Sequence, residues 1–276
     1  MTRHKAEALQ KIELAMDTDI AFDTSHIPAE RQRMLLERIE QDGRVASAQA
    51  ALDFAVSEDT IRRDLRELAD AGLVERVHGG ALRKSKASHR FDKRVIANEA
   101  QKAQLANRAL AFIAPDMVVL LDQSTSNLML ARQLPVDAGL TVITPSPDIA
   151  VAALDRGVSK LILVGGMIDP LSRSAVGAGA LEQIAGMKPD LCFLGACAVD
   201  LIDGVTAVDY EDTCLKRAMV AASRAVIALI TADKLDTSSA YKIAPFSRLD
   251  HMVTERGVSG AVQQRYSNSG VEIHLA

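Results

Sequence analysis

The segment that most constrains the fold is residues 57–82, where a helical pattern runs directly into a hairpin pattern. Ser57 predicts a helix N-cap, because its hydroxyl can accept a hydrogen bond from a free backbone N–H. Apolar residues then recur at helical spacing and form one stripe: Ile61, Leu65, Leu68 and Ala69. Gly72 ends this helix, and residues 73–80 predict a strand followed by a tight turn.

Three basic residues lie off the apolar stripe, in the first turns of the predicted helix: Arg62, Arg63 and Arg66. A helix that enters the major groove of DNA presents its first turns to base edges and phosphates, so this face suits DNA recognition. The same charges also suit an ordinary surface helix with ion pairs, such as Glu58–Arg62 and Asp59–Arg63. The helix alone leaves both interpretations open.

The residues upstream favour DNA binding. Residues 31–40 predict an amphipathic helix, residues 47–54 a second short helix, and residues 55–56 a tight turn. Three helices followed by a two-stranded wing predict a winged helix-turn-helix over residues 28–82. The predicted DNA contacts are Ser57, Thr60, Arg62, Arg63, Arg66, Arg76, His78 and Lys84.

Charge and cysteine content narrow the function further. The 276-residue chain has a net charge of −4, so DNA binding must come from a local patch. Residues 73–94 carry a net charge of +5, which suits phosphate contact or a solvated basic linker. The three cysteines have no metal-ligand spacing and imply no disulfide, and we predict no metal or cofactor. Without a signal-peptide pattern or a long apolar run, a cytoplasmic location is expected.

Beyond a polar linker at residues 83–93, the pattern of the chain changes. Predicted helices lie at residues 96–113, 124–134, 147–155, 178–185 and 210–223. Predicted strands lie at residues 117–121, 140–143, 160–164, 191–194, 225–230, 251–254 and 271–275. Short apolar strands that alternate with helices predict an α/β domain over residues 94–276, with a mainly parallel sheet covered on both faces. Residues 1–27 form an N-terminal extension with no assigned role.

Small and hydroxyl residues follow four consecutive predicted strands of this domain. They are Asp122–Ser126, Thr144–Ser146, Gly165-Gly166 and Gly195–Ala198. Ligands of open α/β sheets bind at the carboxyl ends of the strands, so these loops predict one polar rim. Hydroxyls and free N–H groups at a helix N-terminus suit an anion such as phosphate. Taken alone, the loop at Asp122–Ser126 favours ordinary helix capping by Ser124 or Thr125, whereas the four loops together favour a shared polar rim.

Two groups of motifs resemble the DeoR family of bacterial repressors, over residues 30–276. The first is the run from Val56 to Leu68, with Thr60–Leu65 inside it, followed by His78-Gly79-Gly80. The second lies in the α/β region and consists of Asp122–Ser126, Thr144–Ser146, Gly165-Gly166, Phe193–Ala196, Asp209, Glu211, Lys216–Met219 and Asp233–Leu235. Ser124, Pro145, Ala198, Thr231 and Asp236 depart from the family's pattern.

The resemblance implies a transcriptional regulator that represses a carbohydrate or polyol catabolic operon and is released by a phosphorylated metabolite. Its partners would be operator DNA, a small phosphorylated sugar or polyol, and further copies of the chain in a dimer or tetramer. The implied fold is a winged helix-turn-helix with a sensor domain similar to phosphosugar isomerases. The implied effector contacts are Asp122, Gln123, Ser124, Thr125, Ser126, Thr144, Ser146, Gly165, Gly166, Gly195, Asp209, Glu211, Lys216 and Lys234.

Two other functions stay open. Asp209 and Glu211 near Lys216 could serve a phosphosugar isomerase with a fused DNA-binding domain, since proton transfer beside a carbonyl uses such groups. However, Glu211 and Lys216 are five residues apart, and the G-A-D motif of those isomerases reads G-A-C at residues 195–197. We therefore expect no enzyme activity, and the Glu211–Lys216 pair also suits a structural role. In the other alternative, the C-terminal domain only oligomerises.

Overall fold

The computed structural model describes residues 28–84 and 90–276. The chain divides into two compact units. Of the described residues, one unit comprises residues 28–84 together with Asp236–Ser238, and the other comprises residues 90–235 and 239–276. The predicted extension at residues 1–27, and residues 85–89 of the predicted linker, lie outside the described residues.

The first unit is a winged helix-turn-helix, as predicted. Its elements are α1 (Pro28–Asp42), β1 (Arg44–Ala46), α2 (Ser47–Asp53), α3 (Glu58–Asp70), β2 (Val74–Val77) and β3 (Gly80–Lys84). The prediction of a two-stranded wing was incomplete, because β1 also pairs with β3 in antiparallel fashion and Thr237–Ser238 pairs with β3 in parallel. β1 has only three residues, too few to show an alternating pattern.

The predicted apolar stripe forms the core of this unit. Leu35 and Ile39 of α1 pack with Ile61, Leu65 and Leu68 of α3, and each of the five side chains is at most 2% exposed. Burying an aliphatic side chain of this size contributes about 1.5–3 kcal/mol, so this cluster determines how α3 is held against α1.

The second unit alternates helices and strands. It contains α4 (Phe91–Ile96), α5 (Glu99–Ala109), β4 (Val118–Leu121), α6 (Thr125–Ala131), β5 (Thr141–Thr144), α7 (Pro147–Asp155), β6 (Lys160–Leu163), β7 (Met167–Asp169), β8 (Ser174–Val176), α8 (Ala178–Ala185), β9 (Leu191–Leu194), β10 (Ala198–Asp200), β11 (Gly204–Ala207), α9 (Tyr210–Ala222), β12 (Ala225–Leu229), β14 (Tyr241–Ala244), β15 (His251–Thr254), α10 (Gly260–Ser267) and β16 (Glu272–Leu275). The label β13 denotes Thr237–Ser238.

A seven-stranded parallel sheet organises the second unit, in the order β16-β15-β12-β9-β4-β5-β6. Alternate residues of the central strands enter different cores, as the period of two requires. Val119 and Leu121 pack with α5, α6 and α7, whereas Leu120 packs with α8, α9 and α10. The predicted α/β class and its mainly parallel sheet are confirmed.

Several local predictions for this unit were wrong. The helix expected at residues 96–113 is shorter: α5 begins at Glu99, because Asn98 adopts a left-handed conformation (φ 53°), and α5 ends at Ala109 before a single 3-10 turn at Leu110–Phe112. α4 begins at Phe91, inside the predicted linker. The β7–β8 hairpin, the small β10-β11-β14 sheet and α10 were not predicted. Among the described residues, no helix is both long and apolar enough to cross a lipid bilayer.

Candidate DNA-binding surface and ligand cavity

The start of α3 is built as the sequence suggests. The Ser57 hydroxyl accepts a hydrogen bond from the Thr60 backbone N–H at 3.1 Å, and the two hydroxyls lie 2.8 Å apart. Asp64, on the inner face of the helix, forms a buried bidentate ion pair with Arg31 of α1 at 2.5 and 3.1 Å. Asp64 therefore orients the helix rather than facing a ligand, a role that sequence reasoning missed.

The outer face of α3 carries exposed arginines that contact acidic neighbours. Arg62 lies 2.8 Å from Glu58 and 3.3 Å from Asp59, and Arg63 lies 3.3 Å from Glu67. The two arginine side chains are 52% and 77% exposed. Exposed ion pairs contribute about 0–1 kcal/mol, so these arginines can exchange their carboxylates for phosphates at little cost.

A concave surface of about 380 Å³ lies between α3 and the wing. It is lined by Ser47, Arg62, Leu65, Arg76, Val77, His78, Gly79 and Gly80. It brings together three of the predicted DNA contacts, Arg62, Arg76 and His78. The predicted contacts Arg63, Arg66 and Lys84 are exposed but do not line this surface. A side chain at position 80 would meet the Val45 carbonyl oxygen at 2.0 Å, so glycine is required there.

The second unit contains a cavity of about 240 Å³ at the carboxyl ends of the central strands. Its walls are Lys93, Arg94, Ala97, Asn98, Lys102, Ser124, Thr125, Gly195, Ala196, Cys197, Lys216, Thr231, Asp233 and Lys234. Five of the residues predicted from the sequence lie here: Ser124, Thr125, Gly195, Lys216 and Lys234. The lining contains four lysines and one arginine but only one carboxylate, so the cavity is cationic.

Asp122 lies beneath the cavity and holds its floor together. The fully buried carboxylate accepts hydrogen bonds from the backbone N–H groups of Ser124 and Gly195, both at 2.8 Å, and from Asn127 Nδ2 at 2.7 Å. Gly195 leaves room for this arrangement, because a Cβ there would lie 2.1 Å from the Ser124 Cβ. Asp122 thus fixes the loops that follow β4 and β9.

Lys216 joins this floor to α9. Its ammonium lies 3.4 Å from Asp122 and 3.2 Å from Asp212, and donates to the Gly195 carbonyl at 3.1 Å. Burial alone would lower the pKa of Lys216, but the two carboxylates together raise it above the ordinary lysine value. Burial also raises the pKa of Asp212, against the opposing effect of Lys216. Lys216 is therefore a permanent positive charge.

The remaining cations crowd one another. Lys102 donates to the backbone carbonyls of Arg94 and Ala97, which secures the end of α4. Burial, followed by repulsion from Lys234 and Arg94, lowers the pKa of Lys102 to about 8. Enclosure of its ammonium by the cavity walls likewise lowers the pKa of Lys234, with Lys216 and Arg94 adding to the effect. An anion among these groups would relieve the repulsion.

Other predicted effector residues do not line the cavity. Gln123, Ser126, Thr144 and Ser146 are buried, and Gly165 donates its N–H to Gln183 at 3.0 Å beside Gly166. Asp209 caps α9 by accepting from the Asp212 N–H at 2.9 Å. Glu211 is exposed, and the carboxylate of α9 that meets Lys216 belongs to Asp212, because a spacing of four rather than five residues returns to the same helix face.

The cavity also contains cations that the sequence did not suggest, Lys93, Arg94 and Lys102. Its Thr231 hydroxyl is buried and, among the described residues, has no hydrogen-bond partner. Because this hydroxyl lines the cavity, it is available to hydrogen-bond a ligand or a water there.

Comparison with known proteins identifies the chain. Residues 31–87 match the DeoR-like helix-turn-helix domain, and residues 97–256 match the DeoR C terminal sensor domain. The chain belongs to the DeoR family of transcriptional regulators. The first unit is thus its DNA-binding domain, and the cationic cavity lies in its sensor domain.

Full-length relatives agree with this assignment. The chain is 28% identical to the HTH-type transcriptional regulator GolR of Listeria innocua, over 90% of this chain and 99% of that protein. It is 30% identical to the regulator GlpR of Haloferax volcanii, over 90% and 97% of the two chains. It is 25% identical to the glycerol-3-phosphate regulon repressor of Escherichia coli, over 89% and 98%.

Solved structures show weaker similarity. The sorbitol operon regulator SorC of Klebsiella pneumoniae aligns with 85% of this chain and 99% of its own, at 12% identity and a TM-score of 0.41. Ribose 5-phosphate isomerase A of Methanocaldococcus jannaschii aligns with 50% of this chain and 55% of its own, at 18% identity and a TM-score of 0.35.

Proposed function

We propose that this regulator is a repressor whose sensor domain binds a small phosphorylated sugar or polyol in the cationic cavity. The observation that carries the proposal is that Arg94, Lys102 and Lys234 line one cavity together with the buried hydroxyl of Thr231, which has no hydrogen-bond partner among the described residues. A phosphate would balance the excess positive charge of this lining and give the Thr231 hydroxyl an oxygen to which it can donate. The volume of about 240 Å³ lies below the roughly 300–1,000 Å³ of drug-sized sites, which favours a small metabolite.

The names of the relatives support the same ligand class. One relative is named a glycerol-3-phosphate regulon repressor, and another, from Escherichia coli, is named a putative aga operon transcriptional repressor. By analogy we assign this chain to the control of a carbohydrate or polyol catabolic operon. Effector binding changes repression only if the effector prefers one state of the protein, since equal affinity for two states shifts nothing.

Calorimetry against inorganic phosphate, glycerol-3-phosphate, phosphorylated hexoses and their unphosphorylated parents tests the ligand class. Lys234→Ala should lower the affinity of the best phosphorylated ligand about tenfold or more, because it removes a charge-assisted hydrogen bond worth about 1.5–3 kcal/mol. Lys188→Ala is the matched control, because Lys188 is exposed and does not line the cavity. Binding of neutral sugars alone, or unchanged affinity in Lys234→Ala, would contradict the anion site.

We propose binding without turnover. The cavity-lining carboxylate is Asp233, which accepts a hydrogen bond from Asn98 at 3.1 Å. Asp122 and Asp212 are engaged with Lys216 and backbone groups, so they suit structural support better than proton transfer. Incubation of the purified chain with ribose 5-phosphate tests this, and formation of the isomeric ketose above the blank would support the isomerase alternative instead.

We also propose that the chain acts as a homo-oligomer, a dimer or tetramer. β6 lies at the edge of the sheet, and apolar residues on it and on the neighbouring hairpin are exposed: Ile162, Leu163, Met167 and Ile168. An exposed apolar edge is a site for association, and dimers match the symmetry of paired half-sites in operators. Leu163→Lys with Met167→Lys should reduce the mass measured by light scattering. Ile202→Lys, at an exposed apolar residue between β10 and β11, is the control and should not reduce it. Equal mass for both variants would contradict this interface.

A further inference from the structure

At the opposite edge of the sheet, three metal-binding side chains lie on one face of two neighbouring strands. β16 is the outermost strand and pairs in parallel with β15, with His251 opposite Glu272 and Val253 opposite His274. Since strand residues two apart point to the same face, Glu272 and His274 share a face of β16. The pairing of β15 and β16 thereby collects His251, Glu272 and His274.

The donor atoms of this cluster have the separations of a tetrahedral ligand set. His274 Nε2 lies 3.2 Å from His251 Nδ1 and 3.6 Å from Glu272 Oε2, and His251 Nδ1 lies 3.2 Å from Glu272 Oε2. Tetrahedral zinc with bonds of about 2.0–2.2 Å holds its ligands about 3.3–3.6 Å apart. An ion therefore fits between the three atoms with only small movements of the side chains.

Arg108 contacts the ring nitrogen of His274 that faces away from the cluster. Its guanidinium donates to His274 Nδ1 at 3.0 Å, so the ring proton of His274 is on Nε2.

The surroundings hold the ligands while leaving a path for the ion. The Phe112 ring packs against both imidazoles, with centroid distances of 4.9 Å to His251 and 5.0 Å to His274. The two histidine side chains are 27% and 19% exposed, and Glu272 is 70% exposed. Three protein ligands on an accessible face leave a fourth coordination position for water.

We propose that His251, Glu272 and His274 form a binding site for a divalent transition-metal ion, with Zn²⁺ as the best-matched example. Imidazole and carboxylate ligands suit Zn²⁺, and imidazole also binds Ni²⁺ and Cu²⁺. The ion would tie the outermost strand β16 to β15. This site is separate from the cationic cavity, since none of its three residues lines that cavity.

Arg108 acts against metal binding and gives the proposal a second test. When Nε2 of His274 binds a metal, the ring proton moves to Nδ1, which then needs an acceptor. The Arg108 guanidinium only donates, so it must turn away toward the solvent-exposed groove that it also lines. Removing Arg108 should therefore increase the affinity for the ion.

The experiment uses the full chain, freed of any histidine tag and of metal, titrated with Zn²⁺ by calorimetry and with Co²⁺ by visible absorption. We expect one ion per chain and the d–d bands of tetrahedral Co²⁺. His274→Gln and His251→Gln should each lower zinc affinity about 100-fold, and Arg108→Ala should raise it about tenfold, within the range seen for changes around metal ligands. His78→Gln, on the wing, is the control and should leave zinc binding unchanged.

Circular dichroism shows whether each variant is folded, and the exposed position of Glu272 makes Glu272→Gln a third variant that should weaken binding without unfolding the chain. Failure of the wild type to bind Zn²⁺ would overturn the proposal, even if Arg108→Ala bound it. Wild-type affinity in His274→Gln would show that the ion binds elsewhere. Unchanged affinity in Arg108→Ala would overturn the assignment of His274 Nε2 as a ligand.

Discussion

The two cationic regions of this regulator carry their charge in opposite ways. Arg62 and Arg63 on α3 are 52% and 77% exposed and contact carboxylates of their own helix. Lys102 and Lys216 in the sensor domain are only 4% and 2% exposed. Exposed charges are screened by salt and exchange partners freely, whereas buried charges depend on fixed partners. The first region suits a long polyanion read along its surface, and the second suits one small anion.

The largest expected effect tests whether the buried region depends on its fixed partners. Lys216→Met leaves Asp122 and Asp212 buried without their cation, which should lower the free energy of unfolding by about 3–5 kcal/mol. Urea denaturation followed by circular dichroism measures the change. Arg224→Met, at a side chain that is 80% exposed, is the control. A loss below about 1 kcal/mol, the range of exposed pairs, would remove the distinction between the two regions.

The next effect tests the exposed region. Arg63→Ala should weaken binding to the cognate operator by about 1–3 kcal/mol, the contribution of one hydrogen-bonded base contact. The free energy of unfolding should change little, because the protein loses only an exposed ion pair to Glu67. Gel-shift titration against specific and non-specific DNA checks this, with Arg224→Ala as the control. Unchanged operator affinity in a folded Arg63→Ala protein would show that Arg63 is a solvent-exposed residue that does not contact DNA.

A smaller effect should appear in the pH dependence of effector binding. The pKa of Lys102 is lowered to about 8, so the free protein loses this positive charge as the pH rises from 7 to 9. The affinity for glycerol-3-phosphate, or for whichever phosphorylated ligand binds best, should therefore fall over that interval, by about tenfold or less. Calorimetry at three pH values measures it. Lys102→Arg keeps its charge and should abolish the fall, and a fall that persists in Lys102→Arg would assign it to another group.

The smallest effect concerns salt. Lys84 is exposed at the end of the wing, and Lys86 follows it outside the described residues. Replacing both with Ala should make the slope of log K against log salt shallower by about 1 for each phosphate that the protein no longer neutralises, for specific and non-specific DNA alike. Lys160→Ala, in the exposed part of the sensor domain, should leave the slope unchanged. An unchanged slope in the double variant would mean that these lysines do not touch DNA.

The DNA-binding region could be predicted almost entirely because its signals are local. The cap at Ser57, the stripe from Ile61 to Leu68 and the off-stripe arginines lie within one helix, and the structure confirms the helix and its core. The sequence did not reveal the pairing of β1 and Thr237–Ser238 with β3, or the buried partner of Asp64. The Arg31–Asp64 pair joins residues 33 positions apart, a separation that helical periodicity cannot report.

The cavity could be predicted only in part. Ser124, Thr125 and Gly195 could be predicted because ligands bind in the loops that follow the strands of such a sheet. Arg94 and Lys102 reach the cavity because the helix is interrupted at Asn98. A non-glycine residue in the left-handed conformation has no dependable sequence signal. The histidine cluster could not be predicted for a different reason. His251 and His274 are 23 residues apart and come together through the pairing of β15 with β16.

The sensor site has two parts, a frame and a lining. The frame is the Asp122 carboxylate with the backbone and buried groups that donate to it. The lining is the set of side chains that face the cavity, such as Thr125, Thr231 and Lys234, and these three do not hydrogen-bond to the Asp122 carboxylate. The lining can therefore mutate while the frame stays intact, so on the proposed function a new metabolite preference would need only single substitutions in a protein that still folds. Libraries randomised at the lining should yield many folded variants, and libraries randomised at Asp122 few. On the proposed function, such an arrangement would let related regulators change their effector while their DNA-binding domain stays the same.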